Sequence, residues 1–209
     1  MSYAVKEMFL TLQGEGVQAG RRAVFIRFAG CNLWTGREQD RATAVCQFCD
    51  TDFVGMDGTF GGRYEADQLA SQAEALWDGP DDRRFAVLTG GEPMLQVDAP
   101  LLAALKARGF EVAAESNGTI AAPAGIDWLC ISPKAGSDVV QRAGQELKVV
   151  WPQAGLDLDE LAGWDFPNRL IQPLDDENHA ANTAAAISAV MRDPRWRLTI
   201  QAHKHLGLR

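Results

Sequence analysis

Long hydrophobic runs are missing from this 209-residue chain. Nowhere do about eighteen apolar residues follow one another, so no segment reads as a membrane-spanning helix. The opening Met1-Ser2-Tyr3-Ala4-Val5-Lys6 also lacks the apolar core of a signal peptide. Positive charge is scarce: 20 Lys and Arg face 28 Asp and Glu, a formal charge of -8. That balance argues against broad capture of nucleic acid, which depends on neutralising phosphates. Low-complexity tracts, internal repeats and long linkers are absent too. With 46% hydrophobic residues the chain can bury a full core. The expectation is one domain over residues 1–209, soluble and cytoplasmic, acting on a small molecule without nucleic acid or membrane partners.

Cysteine is also rare, and its placement is informative. Of four cysteines, three fall in one early segment, Cys31 and then Cys46-Gln47-Phe48-Cys49. In a reducing compartment, Cys-x-x-Cys spacing points to metal or redox work rather than to disulfides. No second Cys-x-x-Cys and no His-x3-His follows, so a closed structural zinc site lacks its usual fourth ligand. Three thiolates can instead hold three corners of a cubane iron-sulfur cluster and leave the fourth iron open. Cys130, in the apolar run Trp128-Leu129-Cys130-Ile131, reads as a core thiol.

Periodicity alternates between strand and helix. Short apolar or alternating runs occur at 5–12, 23–28, 85–89, 110–115, 128–132, 146–151, 169–172 and 196–201. Leu69, Ala73, Leu76 and Trp77 make one face of an amphipathic helix over 65–77. Leu101, Leu102 and Leu105 mark another, ended by Gly109. An alanine-rich helix over 178–191 is closed by Asp193-Pro194. This order predicts an α/β fold built on a largely parallel sheet or barrel with right-handed crossovers.

In such folds active sites gather at the carboxyl ends of strands. Polar segments follow the expected strands in turn, beginning with Gln13-Gly14-Glu15-Gly16 and Cys31 and ending with Gln172-Pro173-Leu174-Asp175 and Gln201-Ala202-His203. The expectation is that these loops ring one mouth. Strand alternation puts Arg27 on the same face as Phe25, so its guanidinium needs an interior anion.

The motif Cys46-Gln47-Phe48-Cys49, with an aromatic residue before its last cysteine, and Gly90-Gly91-Glu92-Pro93 at a strand end resemble the radical S-adenosylmethionine superfamily. The usual spacing there is Cys-x3-Cys-x2-Cys, whereas fourteen residues separate Cys31 from Cys46. That departure narrows the resemblance to the 7-carboxy-7-deazaguanine synthase family, some members of which carry an enlarged cluster loop. Gln13-Gly14-Glu15-Gly16, Arg27, Cys49-Asp50-Thr51, Thr89-Gly90-Gly91-Glu92-Pro93, Glu115-Ser116-Asn117-Gly118-Thr119, Ser132-Pro133-Lys134, Gln172-Pro173 and Gln201-Ala202-His203-Lys204 resemble that family in its own order along nearly the whole chain.

The resemblance implies a modified partial (β/α) TIM-like barrel of the radical S-adenosylmethionine type, a single domain with an enlarged cluster loop at about 31–49. It implies a carbon-nitrogen lyase that contracts 6-carboxy-5,6,7,8-tetrahydropterin to 7-carboxy-7-deazaguanine with loss of ammonia, on the way to 7-deazapurines such as queuosine. The implied cofactors are a [4Fe-4S] cluster on Cys31, Cys46 and Cys49, S-adenosylmethionine, and Mg2+ at Thr51. The reacting group would be a 5'-deoxyadenosyl radical, with no catalytic side chain.

By the same resemblance, the backbones of Phe48 and Asp50 contact adenine, and Gly91 and Glu92 receive the methionyl ammonium. Ser116, Ser132, Pro133, Lys134, Gln172 and Pro173 hold the rest of the cofactor. Leu12, Gln13, Gly14, Glu15, Gly16, Arg27, Thr89, Gly90, His203 and Arg209 are expected on the substrate side. Arg27 would take either the substrate's carboxylate or Glu15, and Gln13 and Glu15 could read the pterin's amino-pyrimidinone edge. A homodimer and an electron donor such as flavodoxin or ferredoxin are the implied partners. A glycyl-radical activating enzyme and a zinc-binding module are the competing readings.

Overall fold

The computed structural model describes residues 2–80 and 82–208. The strands among them are β1 (Tyr3–Leu12), β2 (Arg22–Phe28), β3 (Gly62–Tyr64), β4 (Phe85–Gly90), β5 (Glu111–Ser116), β6 (Trp128–Ile131), β7 (Glu146–Trp151), β8 (Asn168–Pro173) and β9 (Arg197–Leu198). They form one sheet in the order β3-β1-β2-β4-β5-β6-β7-β8-β9. From β2 through β4 to β9 every neighbour is parallel. β1 is antiparallel to both β2 and β3. The two ends of the sheet, β3 and β9, do not pair with each other, so the fold is the expected α/β partial barrel.

The helices are α1 (Ala66–Trp77), α2 (Ala99–Ala107), α3 (Leu158–Ala162), α4 (His179–Arg192) and α5 (Ala202–Leu206). α1 starts at Glu65, whose side chain and that of Gln68 reciprocally cap the first turn. α2 starts where the Asp98 carboxylate accepts the N–H of Leu101 at 3.1 Å. It ends with Gly109 at φ +76, where Phe110 N–H reaches the carbonyl of Leu105. These three longer helices match the periodicity. β3, α3 and α5 were too short to announce themselves, and β9 covers only two of the six residues expected.

Alternation along the strands sorts side chains onto two faces. The outer face carries Ile26, Leu88, Val112, Leu147 and Ile171 into one core with Leu69, Trp77, Leu101, Leu105 and Ala186 of the helices. The inner face begins, at the amino ends, with a small plug of Ala23, Phe85, Val87 and Ala113. Beyond this plug, the same face presents Arg27, Thr89 and Glu115, and β6, β7 and β8 add Cys130, Lys148 and Gln172. A polar layer therefore sits on an apolar floor.

One expectation is corrected. Because β1 runs antiparallel to β2, with Leu12 opposite Arg22, the loop beginning at Gln13 enters from the amino end of the parallel strands, not from their carboxyl mouth. It then folds inside. Gly16 N–H donates to Thr199 Oγ1 at 2.9 Å, Val17 N–H to Glu146 Oε2 at 3.0 Å, and Ala202 N–H to the Gly14 carbonyl at 2.9 Å. The loop thus bridges β7 and the β9 end, where the barrel is incomplete. None of the helices among the described residues is long and apolar enough to cross a membrane.

Candidate active site

The barrel interior holds two adjoining chambers, of about 190 and 260 Å³. They share Glu15, Asp50, Thr51, Thr89, Glu115 and Gln201 as common wall. The first chamber is completed by Phe48, Gly91, Ser116, Ser132, Lys134 and Gln172, with Cys46, Cys49, Gly90 and Pro173. The second is completed by Leu12, Gln13, Gly14, Phe25, Arg27 and His203, with Phe9 and Glu7. Most residues expected around the cofactor therefore share one chamber, and most expected around the substrate share the other. Thr51 lines both.

Cys46 and Cys49 lie against each other at the first chamber. The Cys46 thiol hydrogen-bonds to Cys49, which pushes Cys46 up and holds Cys49 down at about 6, helped by the backbone near Thr51. Cys31 is half-buried behind them, its sulfur accepting Leu33 N–H at 3.4 Å, and burial raises its pKa. Among the described residues no three His, Cys, Asp or Glu side chains converge on one ion position. A single tetrahedral zinc needs such convergence; a cubane takes its thiolates at separate corners.

The fourteen residues between Cys31 and Cys46 are folded rather than slack. The Arg41 guanidinium lies over the Trp34 ring at 4.0 Å and donates to the carbonyls of Gln47 at 2.9 Å and Cys49 at 3.1 Å. Trp34 meets Phe53 edge-on. Gly91 belongs to this packing: a Cβ there would stand 2.3 Å from the Gly30 carbonyl and 2.7 Å from Cys31 Cβ. The glycine lets the cysteine segment lie directly on the end of β4.

Glu92 departs from expectation. It is fully buried and lines neither chamber. Its carboxylate accepts Met94 N–H at 2.9 Å, Ser116 Oγ–H at 2.8 Å and Asn117 N–H at 2.7 Å. It braces the loop that presents Ser116 instead of offering a free acceptor. Pro133, also buried, lines neither chamber. Lys134 donates to the carbonyl and hydroxyl of Ser132 at 2.8 and 2.7 Å, and burial lowers its pKa. Gln172 Oε1 is buried without a hydrogen-bond partner, an acceptor left over on the first chamber's wall.

In the second chamber Arg27 pairs with Glu7, not Glu15: Nε donates to Glu7 Oε1 at 2.9 Å. Glu7 stands opposite Arg27 in the β1–β2 register. The terminal nitrogens of Arg27 make no hydrogen bond among the described residues. Phe9 and Phe25 stack with centroids 5.6 Å apart. His203 lies on α5 so close to the loop that a Cβ on Gly14 would meet its Nδ1 at 2.3 Å. Gly16 does not reach the chambers; it makes room for Glu146, whose Oε1 would lie 2.2 Å from a Cβ there. Gly90 falls in the first chamber rather than the second, and Arg209 lies outside the described residues.

Lys148 is a site residue that the motifs do not mark. It is buried, forms an ion pair with Glu15 Oε2, and lies 3.4 Å from Glu115 Oε2. Gln13 Nε2 donates to Glu115 Oε1 at 2.8 Å, Glu15 N–H to Gln13 Oε1 at 3.1 Å, and Gln201 Nε2 to Glu15 Oε1 at 2.9 Å. The available signal was faint: a lysine two residues after Glu146 in an otherwise apolar strand, hence on the same inward face.

No family model matches the chain. A protein of Bradyrhizobium diazoefficiens named 7-carboxy-7-deazaguanine synthase is 60% identical over 210 residues, covering both chains in full. One of the same name from Caulobacter vibrioides is 58% identical over 209 residues, again in full. The chain belongs to the 7-carboxy-7-deazaguanine synthase family. The crystal structure of QueE from Escherichia coli shares the fold, with a TM-score of 0.76 and 26% identity over 97% of this chain and 95% of that one. Membership of the synthase family bears out the resemblance read from the motifs, and the glycyl-radical activating and zinc-module readings fall away.

Proposed function

We propose that this chain is the lyase that contracts 6-carboxy-5,6,7,8-tetrahydropterin to 7-carboxy-7-deazaguanine with loss of ammonia, in the cytoplasm, as a step toward 7-deazapurines such as queuosine. The reading rests on membership of the synthase family and above all on the second chamber. There a guanidinium whose terminal nitrogens make no hydrogen bond among the described residues, a stacked aromatic wall, and carboxylate and amide acceptors line one space. The substrate's carboxylate is a planar partner for Arg27. Its amino-pyrimidinone edge carries N–H donors, for which the side-chain oxygens of Glu15 and Glu115 are acceptors.

The first chamber fits a methionine-derived nucleoside. Ser116, Ser132 and Lys134 supply donors for ribose and carboxylate, and the unpartnered Gln172 Oε1 supplies an acceptor. Cys31, Cys46 and Cys49, on the loop 31–49 of a single domain, would hold the [4Fe-4S] cluster, and no second Cys-x-x-Cys or His-x3-His follows in the sequence to supply a fourth ligand. The hard hydroxyl oxygen of Thr51, on the wall common to both chambers, suits Mg2+. When bound, the cluster and S-adenosylmethionine supply the one-electron chemistry. The protein's own part is orientation and exclusion of water. We also take it to act as a homodimer served by a flavodoxin or ferredoxin.

The test is anaerobic reconstitution with iron and sulfide, followed by reductant, S-adenosylmethionine, Mg2+ and 6-carboxytetrahydropterin, with mass spectrometry of the products. The deazapurine and ammonia should accumulate together. Cofactor cleavage with the pterin untouched would refute the assignment.

A further inference from the structure

The geometry points to Lys148 as a positioning residue that sets the substrate specificity of the second chamber by keeping Glu15 and Glu115 both ionised and fixed. This inference rests on the pterin reading above. Four residues close a ring: Gln13 donates to Glu115, Lys148 contacts Glu115 and Glu15, and the Glu15 backbone N–H returns to Gln13 Oε1. Members come from the inward loop, β5 and β7, so the ring ties three separate elements at the shared wall. Glu15 and Glu115 line both chambers, whereas Lys148 lines only the first. Lys148 thus approaches the carboxylates from the cofactor side, while Gln13 Nε2 reaches Glu115 and Gln201 Nε2 reaches Glu15.

Charge explains why a lysine is needed. Two carboxylates confined in one ring without a cation repel, and one of them then retains its proton. A protonated carboxyl offers O–H where the ligand edge offers N–H, so donor would meet donor. With one ammonium between two carboxylates both stay acceptors, and the ring presents a surface that selects a ligand edge carrying several N–H donors. Glu146 supports the arrangement from below: it accepts Val17 N–H, Trp128 Nε1–H at 3.2 Å and the Cys130 thiol at 3.4 Å.

The test compares Lys148→Met, Lys148→Gln and Lys148→Arg with the wild type, all reconstituted anaerobically. Steady-state rates are measured against pterin and S-adenosylmethionine separately, with thermal melts on the same samples. The methionine variant, or the glutamine variant if methionine does not yield folded protein, is expected to raise KM for the pterin roughly tenfold or more. KM for S-adenosylmethionine should stay within about twofold, kcat should fall less than the pterin KM rises, and arginine should recover most of the loss. The inference is overturned by an unchanged pterin KM, by parallel loss of both affinities, or by arginine performing no better than glutamine. A wild type that cleaves cofactor but leaves the pterin untouched sinks the substrate reading instead, which separates the two failures.

Discussion

The Glu92 carboxylate, with no exposed surface, accepts the backbone N–H of Asn117 at 2.7 Å while its other oxygen takes Ser116 and Met94. A glutamate in a Gly-Gly-Glu-Pro turn thereby reaches across to the next strand's loop and holds it.

Glu92→Ala should accordingly be among the more damaging changes in the chain. It leaves three buried donors without an acceptor, at about 1–3 kcal/mol each, and lowers the melting temperature by roughly 2–4 °C per kcal/mol in a chain of this size. Glu92→Gln keeps one acceptor oxygen and should lose less. Differential scanning calorimetry decides it: if alanine melts within a degree or two of wild type, Glu92 is not the brace described.

Arg41 makes a second prediction, on the segment between Cys31 and Cys49. Its guanidinium joins Trp34 to the carbonyls of Gln47 and Cys49, so it pins the Cys46–Cys49 segment to the rest of the insert. Arg41→Met should loosen that segment, seen as faster proteolysis within 32–48, lower iron content after reconstitution and altered tryptophan emission, with the global melt little changed. Wild-type iron content and protease resistance would show the clamp to be dispensable.

Much of this was legible in the chain itself. The three long helices announced themselves by apolar spacing, and the inner placement of Arg27 followed from strand alternation. What failed to show was relational. The antiparallel sense of β1 is set by pairing with β2 and β3, which no single strand encodes, so the strand pattern alone does not put the Gln13 loop at the amino end of the barrel. Glu7 as partner of Arg27 is a cross-strand fact of register, and Lys148 as partner of Glu15 depends on the Gln13 loop folding inward beside β7. Glu92 reads as a cofactor ligand through the family resemblance; its burial and its bonds to Met94, Ser116 and Asn117 are facts of packing that the Gly-Gly-Glu-Pro motif does not carry.

Arg27→Lys tests the carboxylate assignment. Lysine keeps the charge but loses both the Nε bond to Glu7 and the planar fork. A lost charge-assisted hydrogen bond is worth about 1.5–3 kcal/mol, so KM for the 6-carboxypterin should rise roughly 10- to 100-fold. A pterin lacking the 6-carboxylate should discriminate poorly between wild type and variant. If the variant discriminates equally against both pterins, Arg27 does not read the carboxylate.

Acid stability offers a last test, of the ring itself. Burial pushes the Glu15 carboxyl up, but the charge and hydrogen bond of Lys148, the Gln201 amide and His203 outweigh it, so its pKa lies below the ordinary range. Burial likewise pulls Lys148 down, and Glu115 and Glu15 more than reverse it. For Glu15 the unfolded chain binds the proton more tightly, so its stabilising contribution is complete above the unfolded carboxylate pKa of about 4.3 and disappears as pH falls through the folded value. For Lys148 the raised pKa means a contribution complete below about pH 10.4 and lost only above it. Glu15 and Lys148 are therefore both charged from mildly acidic to alkaline pH. The difference in urea midpoint between wild type and Glu15→Gln should be constant from about pH 8 to 5 and should shrink below about pH 4. A difference that stays the same down to about pH 3 would mean that Glu15 draws no stability from its ionised pairing with Lys148.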